Sequence, residues 1–153
     1  MRIALGADHA GVDLKNDLAN FLKDTGIAFT DFGTAGSESV DYPDFAVAVA
    51  RAVASGDYDR GLLVCGSGIG MAMAANKVPG IRAAVATEEE SARLSRSHNN
   101  ANVLALGARL TPSGKARDIV TAFLNTPFEG GRHQRRIDKL THLDAIASTT
   151  DRN

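Results

Sequence analysis

The chain has 153 residues, 44% of them hydrophobic and 23% charged, which is ordinary for one globular domain. Its 17 lysines and arginines nearly balance its 18 aspartates and glutamates, so its charge excludes a strong general attraction to nucleic acid or anionic membranes. The single cysteine excludes an internal disulfide and is typical of a reducing compartment.

We expect a cytoplasmic protein built as a single domain over residues 1–153. The N-terminal residues lack the long apolar segment of a signal peptide, and no apolar run approaches the roughly 18 residues that span a bilayer. No repeat or low-complexity linker divides the chain. The last residues, 148–153, are expected to fray.

The first predicted elements are a strand at residues 2–7 and a helix that follows it. The apolar residues of this helix recur at a spacing that places them on one face: Leu14, Leu18, Phe21 and Leu22. Gly26 is well placed to end the helix, and residues 27–32 form the second predicted strand. A polar loop at 33–41 leads to a second helix with Pro43 in its first turn.

The second half of the chain continues this alternation. The remaining predicted strands are short apolar runs at residues 62–65, 81–86 and 103–106. Residues 87–90 have the form of a capping box, which predicts a helix that ends near Arg96. Another helix is expected to begin at Thr111 and Pro112. A final helix is indicated by apolar residues at helical spacing: Ile137, Leu140 and Leu143.

Strands that alternate with helices are typical of an α/β fold with a parallel sheet covered on both faces. We therefore predict a Rossmann-like three-layer sandwich with a five-stranded parallel sheet and an extra C-terminal helix. Two doubly wound strand orders fit this pattern, and the order 2-1-3-4-5 is the simpler for five strands. In that order, a ligand crevice lies between the carboxyl ends of strands one and three.

A glycine-rich stretch follows the third strand. Cys65 ends the strand, and glycines then occupy alternate positions: Gly66, Gly68 and Gly70. These glycines allow a turn whose N–H groups, that of Ile69 included, converge beside a helix N-terminus. The positive potential there favours a thiolate, and the Ser67 hydroxyl can stabilise an oxyanion, so the stretch indicates catalysis. The alternative is a structural cysteine at a strand end, tightly packing glycines and an ordinary turn serine.

The same stretch also invites comparison with a dinucleotide-binding fingerprint. That fingerprint has the form G-x-G-x-x-G/A, whereas residues 66–70 read G-x-G-x-G. Met71 then occupies the position where the fingerprint needs a small residue. The stretch also follows the third strand rather than the first, so a dinucleotide site is disfavoured.

Asp8 and His9 end the first strand, across the predicted crevice from Cys65. A carboxylate and an imidazole at a strand tip can bind sugar hydroxyls or move protons near neutral pH. The alternative for Asp8 is a role as the N-cap of the first helix, but this explanation does not account for His9.

Two further groups of polar residues have weaker signals. Arg132 and Arg136 are four residues apart, so on a helix they share a face and can grip one phosphate. The commoner explanation of such a pair is a solvated basic face. His98 and Asn99 lie between a helix and a strand, and an isolated histidine there is more often structural.

Short motifs run in order from residue 2 to about 146: Asp8-His9, Asp41-Tyr42-Pro43, Cys65-Gly66-Ser67-Gly68-Ile69-Gly70, Ala75-Asn76-Lys77, Ser97-His98-Asn99, Gly107-Ala108-Arg109 and Gly130-Gly131-Arg132-His133. In these motifs the chain resembles the type B ribose-5-phosphate isomerases. These belong to a sugar-phosphate isomerase family with the galactose-6-phosphate isomerase subunits of the lactose pathway.

The resemblance implies reversible aldose–ketose isomerisation through a cis-enediolate, with no metal ion or organic cofactor. It implies that Cys65 moves a proton between C1 and C2, while Ser67 and the N–H groups of residues 66–70 hold the enediolate oxygen. One branch of the family has a glutamate base at the position of Met71, so this chain resembles the cysteine branch. The other implied roles are ring opening by His98, hydroxyl contacts by Asp8 and Tyr42, phosphate contacts by His9, Arg132 and Arg136, and further ligand contacts by Asn99 and Arg109.

The predicted topology places these residues at two edges of the sheet. Strand-to-helix loops, which carry Asp8 and Cys65, lie at the carboxyl edge, while the helix-to-strand loop with His98 and Asn99 lies at the opposite edge. We therefore expect His98 to be unable to reach the crevice of its own chain. Each site of a homodimer, or of a dimer of dimers, is then completed by the partner subunit, and the resemblance also implies a dimer.

The leading hypothesis is a ribose-5-phosphate isomerase whose partner is a small sugar phosphate rather than nucleic acid or a membrane. One alternative is isomerisation of a tetrose or hexose phosphate, such as galactose 6-phosphate. Another is a non-catalytic module that binds a sugar phosphate or nucleotide, which would have no need of the Cys65 thiol. The loop at 34–40 and the residues after Ser67 are expected to set the sugar length.

Overall fold

A five-stranded parallel sheet forms the centre of the molecule, with helices on both faces, as predicted. The structure, a computed structural model, describes residues 1–150 and only the backbone of 148–150. The strands are β1 (Arg2–Ala7), β2 (Ala28–Asp31), β3 (Arg60–Cys65), β4 (Ala83–Val85) and β5 (Val103–Gly107). The helices are α1 (Val12–Asp24), α2 (Tyr42–Ala54), α3 (Ile69–Ala75), α4 (Glu89–Ser97), α5 (Ser113–Asn125) and α6 (Gln134–Thr150). Short 3₁₀ turns occupy His9–Gly11 and Gly131–His133.

The core has two layers because successive side chains of a strand point to opposite faces of the sheet. On one face, Leu62 and Leu104 pack in a cluster with apolar residues of α1, α4 and α5. On the other face, Leu63 and Val103 pack in a cluster with apolar residues of α2 and α3. The central strands β3 and β5 are therefore apolar on both faces, which explains their continuous hydrophobic runs.

The strand order is β2-β1-β3-β5-β4, so the predicted order 2-1-3-4-5 is wrong in its last two strands. The chain passes from β3 to β4 at the edge and then returns to insert β5 beside β3. The physical reason is burial: β5 is buried along its whole length, whereas β4 has two half-buried residues and the exposed Val85. A short, partly exposed strand suits the edge of a sheet, and a fully apolar strand suits its interior.

This order changes what lies next to the glycine-rich stretch. Cys65 at the end of β3 is in register with Gly107 at the end of β5. The turn that follows β5 continues the contact, since Ala108 N–H donates to the Cys65 carbonyl at 2.8 Å and Arg109 N–H to the Gly66 carbonyl at 3.1 Å. Arg109 therefore reaches the end of β3, which the predicted order would have placed beside β4.

The start of α4 differs from the sequence prediction. The predicted capping box at 87–90 does not form: Glu88 is the N-cap of α4 and makes no side-chain cap. Its carboxylate instead accepts a hydrogen bond from Lys115 on α5, and the Glu90 carboxylate pairs with Arg93. At the other end of the chain, α6 continues to Thr150, which lies within the segment 148–153 that we expect to fray. Residues 151–153 lie outside the described residues.

Within residues 1–150, none of the helices combines the length and the apolar character needed to cross a bilayer.

Candidate active site

A cavity of about 270 Å³ lies at the carboxyl edge of the sheet, where the ends of β1, β3 and β5 meet. This is the topological switch point, at which the chain leaves β1 and β3 toward opposite faces. Its lining consists of Asp8, Tyr42, Cys65, Gly66, Ser67, Gly70, Arg109 and Leu110. The structure thus brings together residues from four separate parts of the chain.

The Cys65 thiol is the most reactive group of this cavity and is 5% exposed. Its Sγ accepts a hydrogen bond of 3.1 Å from the Gly68 N–H, a contact that stabilises a thiolate. Gly68 makes this contact in the left-handed conformation, with φ +80°, which a glycine adopts without strain. Ser67 lies at the same turn, and its Oγ accepts from the Ile69 N–H at 3.3 Å.

Two side chains pack directly on the glycines of this turn, hereafter the cradle (residues 66–70). A Cβ atom on Gly66 would lie 2.9 Å from Nη1 of Arg109, so the guanidinium rests against the backbone of the cradle. A Cβ on Gly70 would lie 2.8 Å from Cζ of Tyr42, at the start of α2. The missing side chains of Gly66 and Gly70 therefore leave room for a cation and a phenol beside the thiol.

Asp8 lies at the tip of β1 and is 7% exposed. Its Oδ1 accepts hydrogen bonds from the N–H groups of Ala10 and Gly11, at 3.0 and 3.1 Å. The N-cap interpretation therefore describes one oxygen of this carboxylate, at the 3₁₀ turn that precedes α1. The same residue also lines the cavity, so capping and ligand contact are compatible.

His9 stands beside Asp8 and holds the loop between β2 and α2. Its Nδ1 accepts a hydrogen bond of 3.2 Å from the Val40 N–H. The neutral ring must then carry its proton on Nε2, which is free to donate to an anion. The start of the loop is fastened to β1 as well, since Thr34 N–H donates to the Ala7 carbonyl at 2.6 Å.

Four predicted site residues lie far from this cavity within the chain: His98, Asn99, Arg132 and Arg136. His98 caps the C-terminus of α4 and leads into β5, so it lies at the amino edge of the sheet. A strand such as β5, with its 5 residues, spans about 16 Å between the two edges. Asn99 lines a different cavity, of about 440 Å³, together with Arg82 and residues of α6.

Arg132 and Arg136 belong to the segment that follows α5 and contacts the end of α4. The Glu129 N–H donates to the Ser97 carbonyl at 3.0 Å, which places the 3₁₀ turn Gly131–His133 beside His98. The side chains of His98 and His133 stack, with ring centroids 4.3 Å apart. The predicted residues therefore form two groups at opposite edges of the sheet, one around Cys65 and one around His98.

Sequence reasoning missed two residues at these groups. Leu110 lines the Cys65 cavity while its side chain is 60% exposed, and only the observed strand order reveals that the turn after β5 reaches the site. His133 stands in a recognised motif next to Arg132, but its partner His98 is distant in sequence. Spacing along one helix or strand carries no signal for a contact of this kind.

Comparison with known proteins identifies the family of this chain. A sequence profile of the family described as Ribose/Galactose Isomerase matches residues 3–140. The chain belongs to this family. The ribose-5-phosphate isomerase B of Escherichia coli (strain K12) is 48% identical over 143 residues, which cover 94% of this chain and 96% of that protein.

Solved structures in this family share the fold. The ribose-5-phosphate isomerase B of Clostridium thermocellum has a TM-score of 0.95 and 52% identity, over 96% of this chain and 99% of that chain. A Mycoplasma genitalium ribose-5-phosphate isomerase B has a TM-score of 0.90 and 44% identity, over 94% and 96% of the two chains, and was solved with ribulose-5-phosphate bound. The likeness in sequence and structure therefore extends over nearly the whole chain.

Proposed function

We propose that this protein is an aldose–ketose isomerase that interconverts D-ribose 5-phosphate and D-ribulose 5-phosphate. The observation that carries the proposal is the Cys65 thiol in a cavity with Asp8, Ser67 and Arg109, beside backbone N–H groups of the cradle. Membership of the ribose/galactose isomerase family supports it. A cytoplasmic location, which the single free cysteine suits, is part of the same proposal.

In the proposed reaction, the thiolate of Cys65 takes the proton from C2 of the open-chain aldose and returns it to C1. The proton of the C2 hydroxyl moves to O1, so that the carbonyl group shifts from C1 to C2 and no atoms are gained or lost. The intermediate is a cis-enediolate, whose negative oxygen the cradle and the Ser67 hydroxyl stabilise. These steps are proton transfers and require neither a metal ion nor an organic cofactor.

Stabilisation of the enediolate raises the rate because its charge develops only in the transition state. Asp8 and Tyr42 are placed to bind sugar hydroxyls, and Arg109 adds a positive charge against the cradle. His9 is placed to donate from Nε2 to the phosphate, because its Nδ1 is occupied by the Val40 N–H. The same hydrogen bond would couple phosphate binding to the loop at 34–40.

We further propose that the active unit is a homodimer with shared sites. The distance between the two groups of residues supports this arrangement, since His98 lies at the opposite edge of the sheet from Cys65. A second copy related by a two-fold axis would bring the partner's His98, Asn99, Arg132 and Arg136 to the cavity. There the partner's His98 would open the furanose ring, and the partner's Arg132 and Arg136 would complete the phosphate site.

The role of Cys65 is tested with a panel of four-, five- and six-carbon aldose and ketose phosphates, ranked by kcat/KM. We expect the wild-type protein to favour ribose 5-phosphate, and Cys65→Ala to lose turnover by about a thousandfold, as expected for removal of a catalytic base. Calorimetric binding of ribulose 5-phosphate to the variant should persist. Full activity of Cys65→Ala would eliminate the proposed base, and binding without turnover in the wild type would indicate a non-catalytic module.

The panel also addresses the second candidate function. The family description names both ribose and galactose, so a hexose phosphate is the leading alternative substrate. A kcat/KM that is highest for galactose 6-phosphate or a tetrose phosphate would replace the pentose in the proposal and leave the isomerase chemistry unchanged.

The shared site is tested by mixing two inactive homodimers, Cys65→Ala and His98→Ala, under conditions of subunit exchange. A mixed dimer contains one site with both defects and one with neither, so we expect about half of the wild-type activity per mixed dimer. Each variant incubated alone provides the control. Persistent inactivity of a mixture whose exchange is shown by mass spectrometry would contradict the shared site.

A further inference from the structure

His98 and His133 form a stacked pair at the amino edge of the sheet. Their ring centroids are 4.3 Å apart and their planes differ by 13°. His133 is the buried member, at 6% exposure, whereas His98 is half-buried at the C-terminus of α4. The pair therefore consists of a fixed inner ring and an outer ring that rests on it.

The inner ring is held by the backbone around it. The His133 N–H donates to the Gly130 carbonyl at 3.0 Å, and Glu129 is bound to the end of α4 through the Ser97 carbonyl at 3.0 Å. The Glu129 carboxylate lies 3.7 Å from Nε2 of His133. These contacts join the 3₁₀ turn to α4 and so hold the backbone of His133 beside the helix that carries His98, while burial of the ring limits its rotation.

A metal site formed by His98, Glu129 and His133 is the alternative interpretation of this stacked pair and its neighbouring carboxylate. Donor atoms of His98, Glu129 and His133 lie within 4.8 Å of one another. An imidazole nitrogen binds an ion in the plane of its ring, at about 2 Å. Two nearly parallel rings stacked face to face cannot both direct a lone pair at one ion, so the geometry favours stacking over chelation.

Burial and the charges around His133 favour the neutral form of its ring. Burial lowers the pKa of His133, and the positive charges of His98, Arg132 and Arg136 lower the pKa further, while Glu129 opposes them. A neutral ring stacks on His98 whether or not His98 is protonated, whereas a charged one would repel an imidazolium only 4.3 Å away.

We propose that His133 is a positioning residue that fixes the ring plane of His98 for opening of the furanose ring. This inference rests on the proposed function, in which the partner's His98 reaches the sugar. His133 itself does not touch the substrate and acts only through His98.

The ring plane matters because one nitrogen of His98 must reach two oxygens in turn. The lone pair of an imidazole nitrogen lies in the ring plane, and the C1 hydroxyl and the ring oxygen O4 are both bonded to C1. This nitrogen takes the proton of the C1 hydroxyl, the bond between C1 and O4 breaks with its electron pair going to O4, and O4 takes the proton from the same nitrogen. C1 becomes the aldehyde and the imidazole is returned unchanged, so atoms and protons balance, but the nitrogen must be aimed at both oxygens.

The test separates ring opening from isomerisation by using Cys65→Ala as the background. In this background isomerisation is blocked, and exchange between the α and β anomers of ribose 5-phosphate, followed by NMR magnetisation transfer, reports ring opening alone. Into it we introduce His133→Ala, which removes the stacked ring, and His133→Phe, which keeps a ring of similar size. His142→Ala, an exposed histidine on α6, is the matched control.

We expect His133→Ala to slow enzyme-dependent anomer exchange by about tenfold to a hundredfold, because a misplaced catalytic group costs about this much. His133→Phe should retain the exchange within about threefold, and His142→Ala should leave it unchanged. With Cys65 restored, His133→Ala should lower kcat for ribose 5-phosphate and spare turnover of erythrose 4-phosphate, which cannot form a furanose.

Several results would overturn the proposal. Anomer exchange unaffected by His133→Ala would remove the role of the stack. An equal loss in His133→Ala and His133→Phe, or an equal loss with erythrose 4-phosphate, would show a structural or electrostatic role instead. Exchange that zinc inhibits and chelator restores, only when His133 is present, would show a metal site. If Cys65→Ala itself catalyses no exchange while the wild type isomerises ribose 5-phosphate, the ring-opening premise fails and the isomerase assignment stands.

Discussion

The groups around Cys65 are oriented by backbone hydrogen bonds before any ligand binds. The thiol accepts from Gly68, the Asp8 carboxylate from Ala10 and Gly11, and the His9 ring from Val40. Groups fixed in this way stabilise developing charge without reorganisation at the moment of reaction. At the scale of single residues, the glycines of the cradle matter because they have no side chains, which allows Arg109 and Tyr42 to approach its backbone closely.

Gly66→Ala tests this point. The new Cβ would lie 2.9 Å from Nη1 of Arg109, which can move because it is the end of a flexible side chain. We expect little change in thermal stability, but a fall of about tenfold or more in kcat/KM for ribose 5-phosphate, since Arg109 is displaced from the cradle. Steady-state kinetics and thermal unfolding measure the two effects.

Gly114→Ala is the matched control, because a Cβ at Gly114, an exposed residue of α5, meets nothing within 4 Å. It should leave kcat/KM unchanged. Wild-type kinetics in Gly66→Ala would show that the position of Arg109 against the cradle is not needed for turnover.

At the scale of elements, α1 and α5 are joined by a polar contact over the core they share. Arg117 on α5 donates to both oxygens of Asp17 on α1, through Nε at 2.9 Å and through Nη2. Ser113 at the start of α5 donates to the same carboxylate. These hydrogen bonds, and the charge of Arg117, lower the pKa of Asp17 below its ordinary value of 3.8.

This shift gives a pH dependence of stability. A carboxyl group whose pKa is lower in the folded state adds stability above the unfolded pKa of 3.8, and loses it as the pH falls through the folded value. We therefore expect Asp17→Asn to lower Tm at pH 7, and the difference from wild type to shrink steadily below pH 3.8. Thermal unfolding followed by circular dichroism across this range measures the effect.

Asp118→Asn serves as the control, because Asp118 is an exposed residue of α5. It should change Tm less than Asp17→Asn at neutral pH. A difference between Asp17→Asn and wild type that stays constant down to the acid limit would contradict the assigned ion pair.

At the scale of the whole molecule, α6 carries large apolar side chains on the surface. Leu140 is 45% exposed and Leu143 is 60% exposed, and both line the 440 Å³ cavity near Asn99. Exposed leucines next to residues assigned to a partner's site suit an interface between two copies of the chain. The proposed homodimer gives these side chains a place to be buried.

Leu143→Glu is expected to weaken the dimer by about tenfold or more, equivalent to about 1.4 kcal/mol, because a charge replaces a leucine at the interface. Activity per protein should fall in parallel at low concentration and recover as concentration rises. Analytical ultracentrifugation and concentration-dependent assays measure both. Ala145→Glu, an exposed position of the same helix, is the control, and equal dissociation by the two variants would contradict this placement.

The sequence was sufficient for the fold class, the approximate strands and helices, and the cradle. These features follow from local patterns: apolar runs for buried strands, apolar residues at helical spacing for helices, and glycines at alternate positions after Cys65. The crevice at the ends of β1 and β3 also followed, because parallel strands share one carboxyl edge. The start of α4 was harder to predict from the sequence. Its capping box does not form because Glu88 pairs with Lys115 and Glu90 pairs with Arg93 instead.

Only the tertiary structure decided which distant segments meet. Spacing along the chain does not reveal that β5 inserts between β3 and β4, because the choice depends on which strand is best buried on both faces. That insertion alone brings Arg109 and Leu110 to Cys65. The stack of His98 on His133 likewise joins the end of α4 to a turn after α5. Local patterns specify elements, whereas the contacts that make a site depend on how those elements pack.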